Sequence, residues 1–277
     1  MPRPFTTLAA LALLIIAATV HFSAQSRTAA QEKSFTADQI AESTIFVYGS
    51  RPVLEQIRRN GVERGRITRF TNDGKTEEAT YERRFVRGEN SEKDKVRLDQ
   101  KMPTLEYSLI YGGGRLWGVI NGATFTPRQE TANTFLSQQR HSIDTLLRYK
   151  ENNSTITLIG KDKQKGLDLY VLDLEDKDKK KTRYYISAKS LHVLWLEYED
   201  APAPEVAAVK YTRKFFDYRY AQSTLVPYRS VLLEDGRQTQ ETRILTVTFG
   251  IKLDDALFQN PEAASYSVQG GYSASAR

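Results

Sequence analysis

The stretch HVLWLEYED, His192 to Asp200, decides how the rest of the chain is read. In an extended strand successive side chains point to opposite faces, so alternation places Leu194, Leu196 and Tyr198 on one face. Val193 and Trp195 then give apolar bulk to the other, which a sheet with one face in water does not need. LDLYVLDLE, Leu167 to Glu175, has the same two-sided character. TRILTVTFGIK instead sets Thr242, Thr246 and Thr248 against a row of Leu245, Val247, Phe249 and Ile251, as in a strand with one wet side. A further row, Phe216, Tyr218 and Tyr220, lies in the strand between them. Something covers the second face of the central strands: packed helices, or a ligand.

Outward from this stretch the period of two continues. Residues 154–160, 182–189, 208–221 and 225–236 read as strands, and so do five short runs between Arg64 and Gly122, divided by Asn-Asp-Gly and triple-glycine turns. A helix over 128–149 interrupts them, with Leu136, Ile143, Leu146 and Leu147 on its buried stripe. Two helices come first. Thr36 and Gln39 have capping-box spacing ahead of an apolar stripe of Ala37, Ile40, Ala41, Thr44 and Tyr48, and a shorter helix begins near Pro52 and stops at Asn60-Gly61. The expected class is therefore α+β, mainly antiparallel β: a half-open, incomplete β-barrel of roughly ten to twelve strands, lidded or plugged by helices.

Composition sets the compartment and excludes several chemistries. Residues 1–30 combine a basic start at Arg3, an apolar run from Leu8 to Val20 and small residues offering cleavage between Ser26 and Ala30, which reads as a secretory signal. The run is about 13 residues, too short for a bilayer span. Residues 31–262 are expected to form a single domain, with APAPE (Ala201 to Glu205) as a hairpin loop and 263–277 as a disordered tail. The chain contains no cysteine, which rules out disulfides, thiolate metal sites, a cysteine nucleophile and a lipid-bearing cysteine after the signal. Export makes the periplasm the expected location. Net charge is +6, and removing Arg3 and Arg27 with the signal leaves +4. Basic residues are interleaved with acids, as in EKDKVR and EDKDKKKTR, so they read as solvated strand edges and hairpin tips and not as a nucleic-acid groove.

Catalytic and metal signatures do not assemble. RHSID brings His141, Ser142 and Asp144 together, but helix neighbours one apart point in different directions and cannot form a triad. His192 stands alone at a strand start. GGGRLWG, Gly112 to Gly118, has the wrong spacing for a dinucleotide loop and precedes a strand, which makes it a hairpin turn. The acidic clusters LEDKDKKK and KLDDALF lack the glycine-centred spacing of a calcium loop.

The order of elements does resemble a family. AESTIFVYG after the signal, then LDLYVLDLED, TRYYISAKSLHVLWLEYED and KFFDYRYAQSTLVPYRSVLLEDG, with a closing Phe258 and Pro261, is similar to the outer-membrane lipoprotein-sorting proteins of the LolA/LolB-like superfamily. The resemblance implies a half-open antiparallel barrel lidded by helices whose apolar interior receives acyl chains of lipids or lipoproteins, with no cofactor and no chemistry. It implies partners in inner- and outer-membrane acceptor complexes; a monomer is expected. In such carriers the sheet interior forms the site, so alternation nominates Leu194, Leu196, Tyr198, Phe216, Tyr218, Tyr220, Leu245, Val247 and Phe249 as cavity walls. The alternative is the same scaffold with a filled core, sensing or scaffolding envelope partners.

Overall fold

The computed structural model describes residues 35–201 and 206–260. The signal segment, most of the APAPE loop and the tail lie outside the described residues. The first helix, α1 (Ala37–Tyr48), begins where the capping box predicts. Thr36 Oγ1 accepts from the Gln39 amide at 3.2 Å and Gln39 Oε1 accepts from the Thr36 amide at 2.9 Å. Its buried stripe is Ile40, Ala41, Thr44, Ile45 and Tyr48. The short α2 (Arg51–Ile57) follows with Pro52 in its first turn and leads into β1 (Asn60–Phe70).

Five further strands form a meander: β2 (Thr76–Val86), β3 (Lys95–Lys101), β4 (Glu106–Gly112), β5 (Arg115–Ile120) and β6 (Ala123–Phe125). Two helices interrupt it, α3 (Gln129–Arg140) and α4 (Ile143–Leu147). The single helix expected over 128–149 is therefore broken. Ser142 is extended and caps α4, its Oγ accepting from the Thr145 amide at 3.3 Å, while Thr145 Oγ1 donates to the Arg140 carbonyl at 2.7 Å and so satisfies the end of α3.

The chain then returns through β7 (Thr155–Gln164), β8 (Leu167–Glu175), β9 (Lys181–Ser187), β10 (Val193–Asp200), β11 (Val209–Ala221), β12 (Thr224–Glu234) and β13 (Arg237–Phe249). The thirteen strands among the described residues belong to one sheet in the order β6-β5-β4-β3-β2-β1-β13-β12-β11-β10-β9-β8-β7, and every pairing is antiparallel. The terminal strands β6 and β7 do not pair with each other, so the barrel is incomplete. One strand more than the expected upper figure is present. Among the described residues no helix is long and apolar enough to cross a membrane.

Three irregularities re-aim side chains. In β10 the register against β9 shifts between Val193 and Trp195. In β11 Asp217 adopts φ +55°, a left-handed conformation that aspartate tolerates better than most residues. In β13 the register against β1 shifts opposite Arg64 and Gly65, leaving Leu245 as the extra residue. Beyond each point, the set of residues facing the concave side changes parity.

Candidate functional site

The helices cover the concave face unevenly. Under α1 and α4 the face of β8 to β11 is packed: Tyr170, Leu172, Leu174, Tyr184, Ile186, Val193, Leu196 and Tyr198 join Ile40, Ile45, Leu146 and Leu147 in one cluster. Polar bonds fasten it. Tyr48 Oη donates to Tyr218 Oη at 3.0 Å, Tyr218 Oη donates to the Val193 carbonyl, and the Val193 amide donates to Tyr48 Oη at 3.3 Å, so α1 is tied to the irregular start of β10. His141 lies in this half, fully buried, with Nδ1 2.7 Å from Thr182 Oγ1 and its ring stacked on Tyr198 at 3.9 Å. Burial pushes its pKa down to about 3, so the imidazole is neutral at physiological pH. The RHSID residues thus separate: His141 sits under Tyr198, Ser142 caps a helix, and Asp144 points elsewhere.

Asp144 points into a half-enclosed hollow of about 650 Å³ beneath α3 and α4, walled by β1, β2 and β11 to β13. That volume lies within the range of small-molecule sites. Its apolar lining comes from residues such as Ile67, Phe85, Val96, Phe215, Val226 and Ile244. The lining also holds Arg58, Arg83, Arg87 and Arg213, with Glu63 and Asp144 between them. Asp144 bridges two of the arginines, at 2.8 Å to Arg58 and 2.6 Å to Arg87. Burial alone would raise its pKa, but these two guanidiniums hold the carboxyl well below the usual carboxylate range. Arg83 donates to Gln139 at 3.1 Å and Arg213 to Gln138 at 3.0 Å. Burial lowers the pKa of Arg58 and of Arg213 from the ordinary arginine value.

Local sequence explains how arginines come to line an interior. Both β2 and β11 contain Tyr-x-Arg-x-Phe, as Tyr81-Arg83-Phe85 and Tyr211-Arg213-Phe215. Alternation puts each triplet on the concave face, so each arginine enters between two aromatic rings. Arg83 lies 4.9 Å from the Phe85 ring centroid and Arg58 lies 5.3 Å from that of Phe249. Gly65 on β1 makes room for Tyr81: a Cβ there would meet the Tyr81 ring at 2.7 Å and the Arg243 carbonyl at 2.2 Å. Tyr81 then donates to Glu63 at 2.6 Å. Although β2 and β11 are separated by three strands, their arginines reach consecutive glutamines of α3, a direct sign that the sheet curls around this helix.

None of the nine residues nominated by alternation lines this hollow. Leu196, Tyr198 and Tyr218 stand in the packed half, and Val247 and Phe249 in the cluster that borders the hollow. Four placements are corrected. Leu194 faces the opposite side with Leu169, Val171, Tyr185 and Trp195, because the β10 irregularity follows Val193. Phe216 lies outside the concave clusters with Arg229 4.1 Å above its ring, since Asp217 lets Phe215 and Tyr218 both face inward. Leu245, as the bulge residue, is 58% exposed, and Tyr220 near the hairpin end is 68% exposed. The second apolar face of the opening stretch is likewise explained: Trp195 stacks on Tyr185 at 4.5 Å within its own small outer cluster.

A LolA superfamily protein from Nitrosomonas europaea superposes with a TM-score of 0.58 at 13% identity, covering 83% of this chain and 100% of that one. The two chains share one fold. A putative outer-membrane lipoprotein-sorting protein domain from Vibrio parahaemolyticus matches this chain at 0.54 and 12% identity, over 81% of this chain and 98% of its own. A DUF1329 family protein from Desulfovibrio piger matches at 0.59 and 11%, over 83% and 99%. No family model and no curated protein matches the sequence.

Proposed function

We propose that this LolA-like protein is a periplasmic lipid- or lipoprotein-binding carrier of the outer-membrane lipoprotein-sorting type, without enzymatic activity. The observation that carries the reading is the hollow of about 650 Å³ under α3, on the concave side of a sheet whose fold it shares with a lipoprotein-sorting domain. Each methylene transferred there from water contributes about 0.8 kcal/mol, enough for one long chain to be held without covalent attachment. The chain works as a monomer that receives its cargo at the inner membrane and delivers it to an outer-membrane acceptor. The filled-core alternative, an envelope scaffold or sensor, draws support from the packed half under α1, but leaves the hollow without a use.

The test is organic extraction of the purified protein followed by lipid mass spectrometry, with uptake of added fatty acid as a second readout. Neither Trp117 nor Trp195 lines the hollow, so intrinsic fluorescence needs a reporter such as Leu136→Trp. Co-extracted acyl chains and a saturable shift of that reporter are expected. A chain that carries no lipid and takes up none would overturn the carrier reading.

A further inference from the structure

Hydrocarbon alone does not require buried charge, and burying guanidinium groups without matching anions costs several kcal/mol each. Once the ion pairs that Arg140, Arg148 and Lys177 make with four of the six lining carboxylates are set aside, the hollow nevertheless holds Arg58, Arg83, Arg87 and Arg213 against Glu63 and Asp144. The acids at its rim are already engaged, Asp94 by Arg148, Glu92 by Lys177, and Asp176 and Asp178 by Arg140. Deeper in, Asp144 is shared by Arg58 and Arg87, and Glu63 accepts from Tyr81. Among the described residues Arg83 and Arg213 make no ion pair: their hydrogen bonds go to neutral glutamines on α3, and Glu63, opposite Arg83 in the β1–β2 register, acts on Arg213 only through its field. A guanidinium presents a fork of donors suited to a planar or tetrahedral oxyanion, and a glutamine is a weak substitute for one.

Resting on the carrier reading, the geometry points to a more specific cargo: an amphiphile whose headgroup is a carboxylate or a phosphate. The headgroup sits between Arg83 and Arg213, with Arg58 and Arg87 behind, and its hydrocarbon lies on the apolar wall around Phe85. Binding displaces the two glutamine contacts and neutralises the excess positive charge. Because those contacts join the sheet to α3, headgroup capture and loosening of that helix are one event.

The test is a calorimetric titration of the purified full chain with laurate, dodecyl phosphate, dodecanol and dodecyltrimethylammonium, all below micelle formation, with inorganic phosphate as competitor. Laurate and dodecyl phosphate are expected to bind at least about tenfold more tightly than the alcohol, and the ammonium least. Which of the two anions binds more tightly assigns the headgroup. The double variant Arg83→Gln, Arg213→Gln should abolish the preference while still binding dodecanol, and Arg213→Lys, with a native melting curve as folding control, should keep most of it. Equal affinity for all four heads would overturn the headgroup assignment and leave the carrier standing. Failure of every amphiphile would remove both. Inorganic phosphate competing as strongly as dodecyl phosphate binds would make this a free-anion site and overturn the amphiphile.

Discussion

The two halves of the concave face are built from the same sheet, yet one is closed and the other is hollow. Under α1 and α4, aromatic and aliphatic side chains interlock and three hydrogen bonds join Tyr48, Tyr218 and Val193. Under α3, the strand faces carry arginine between aromatic rings, and the helix answers with glutamines. Long cationic side chains cannot close-pack as leucines do, because their heads demand polar partners and space. The difference teaches that the hollow is a product of side-chain chemistry as much as of sheet curvature.

The packed half is the more sensitive of the two to substitution. Leu172→Ala removes a fully buried side chain there and is expected to cost about 3–4 kcal/mol in urea unfolding, with amphiphile binding by the folded protein unchanged. A loss of binding equal to the loss of stability would mean that the halves are not independent.

Acid provides the next largest effect. The pKa of His141 is about 3 in the fold against an ordinary 6.5, so below pH 6.5 the unfolded chain takes up a proton that the native chain does not. Stability from this group is intact above 6.5 and declines as pH falls toward 3, by about 3 kcal/mol on reaching pH 4. Denaturation curves at pH 7, 5 and 4 should show a steeper decline for the wild type than for His141→Gln. Parallel curves would refute the assignment.

These predictions depend on features that differ in how legible they were in the sequence. The α1 cap, the antiparallel meander and the half-open barrel follow from Thr36 and Gln39, from turn residues and from period-two runs, all of which act locally. Alternation stops being reliable where one residue changes the parity: Leu194, Asp217 and Leu245 each look ordinary in sequence, and the backbone irregularities there are set by pairing with other strands. The break between His141 and Ser142 was hidden because the periodic pattern runs through it. Arg58, Arg83, Arg87 and Arg213 were read among the solvated charges. The signal that finds them is the repeated Tyr-x-Arg-x-Phe, whose inward side puts a charge between rings.

Smaller perturbations sharpen the contrast further. Tyr218→Phe removes the donor to the Val193 carbonyl and an acceptor for Tyr48, and is expected to destabilise by about 1–2 kcal/mol in thermal melts. Amide exchange should quicken in α1 and at the start of β10, and not in α3. Thr242→Leu fills part of the hollow from β13 and should change stability by less than about 1 kcal/mol while lowering the capacity for a dodecyl chain. Unaltered uptake by that variant would place the ligand elsewhere.

The most direct measurement is a crystal structure with a long-chain amphiphile carrying bromine at its tail, located by anomalous scattering. The bromine is predicted under α3, among Ile67, Phe85 and Ile244. Bromine beneath α1, on the Trp195–Tyr185 face, or at no defined position in a crystal grown with saturating ligand would contradict the account.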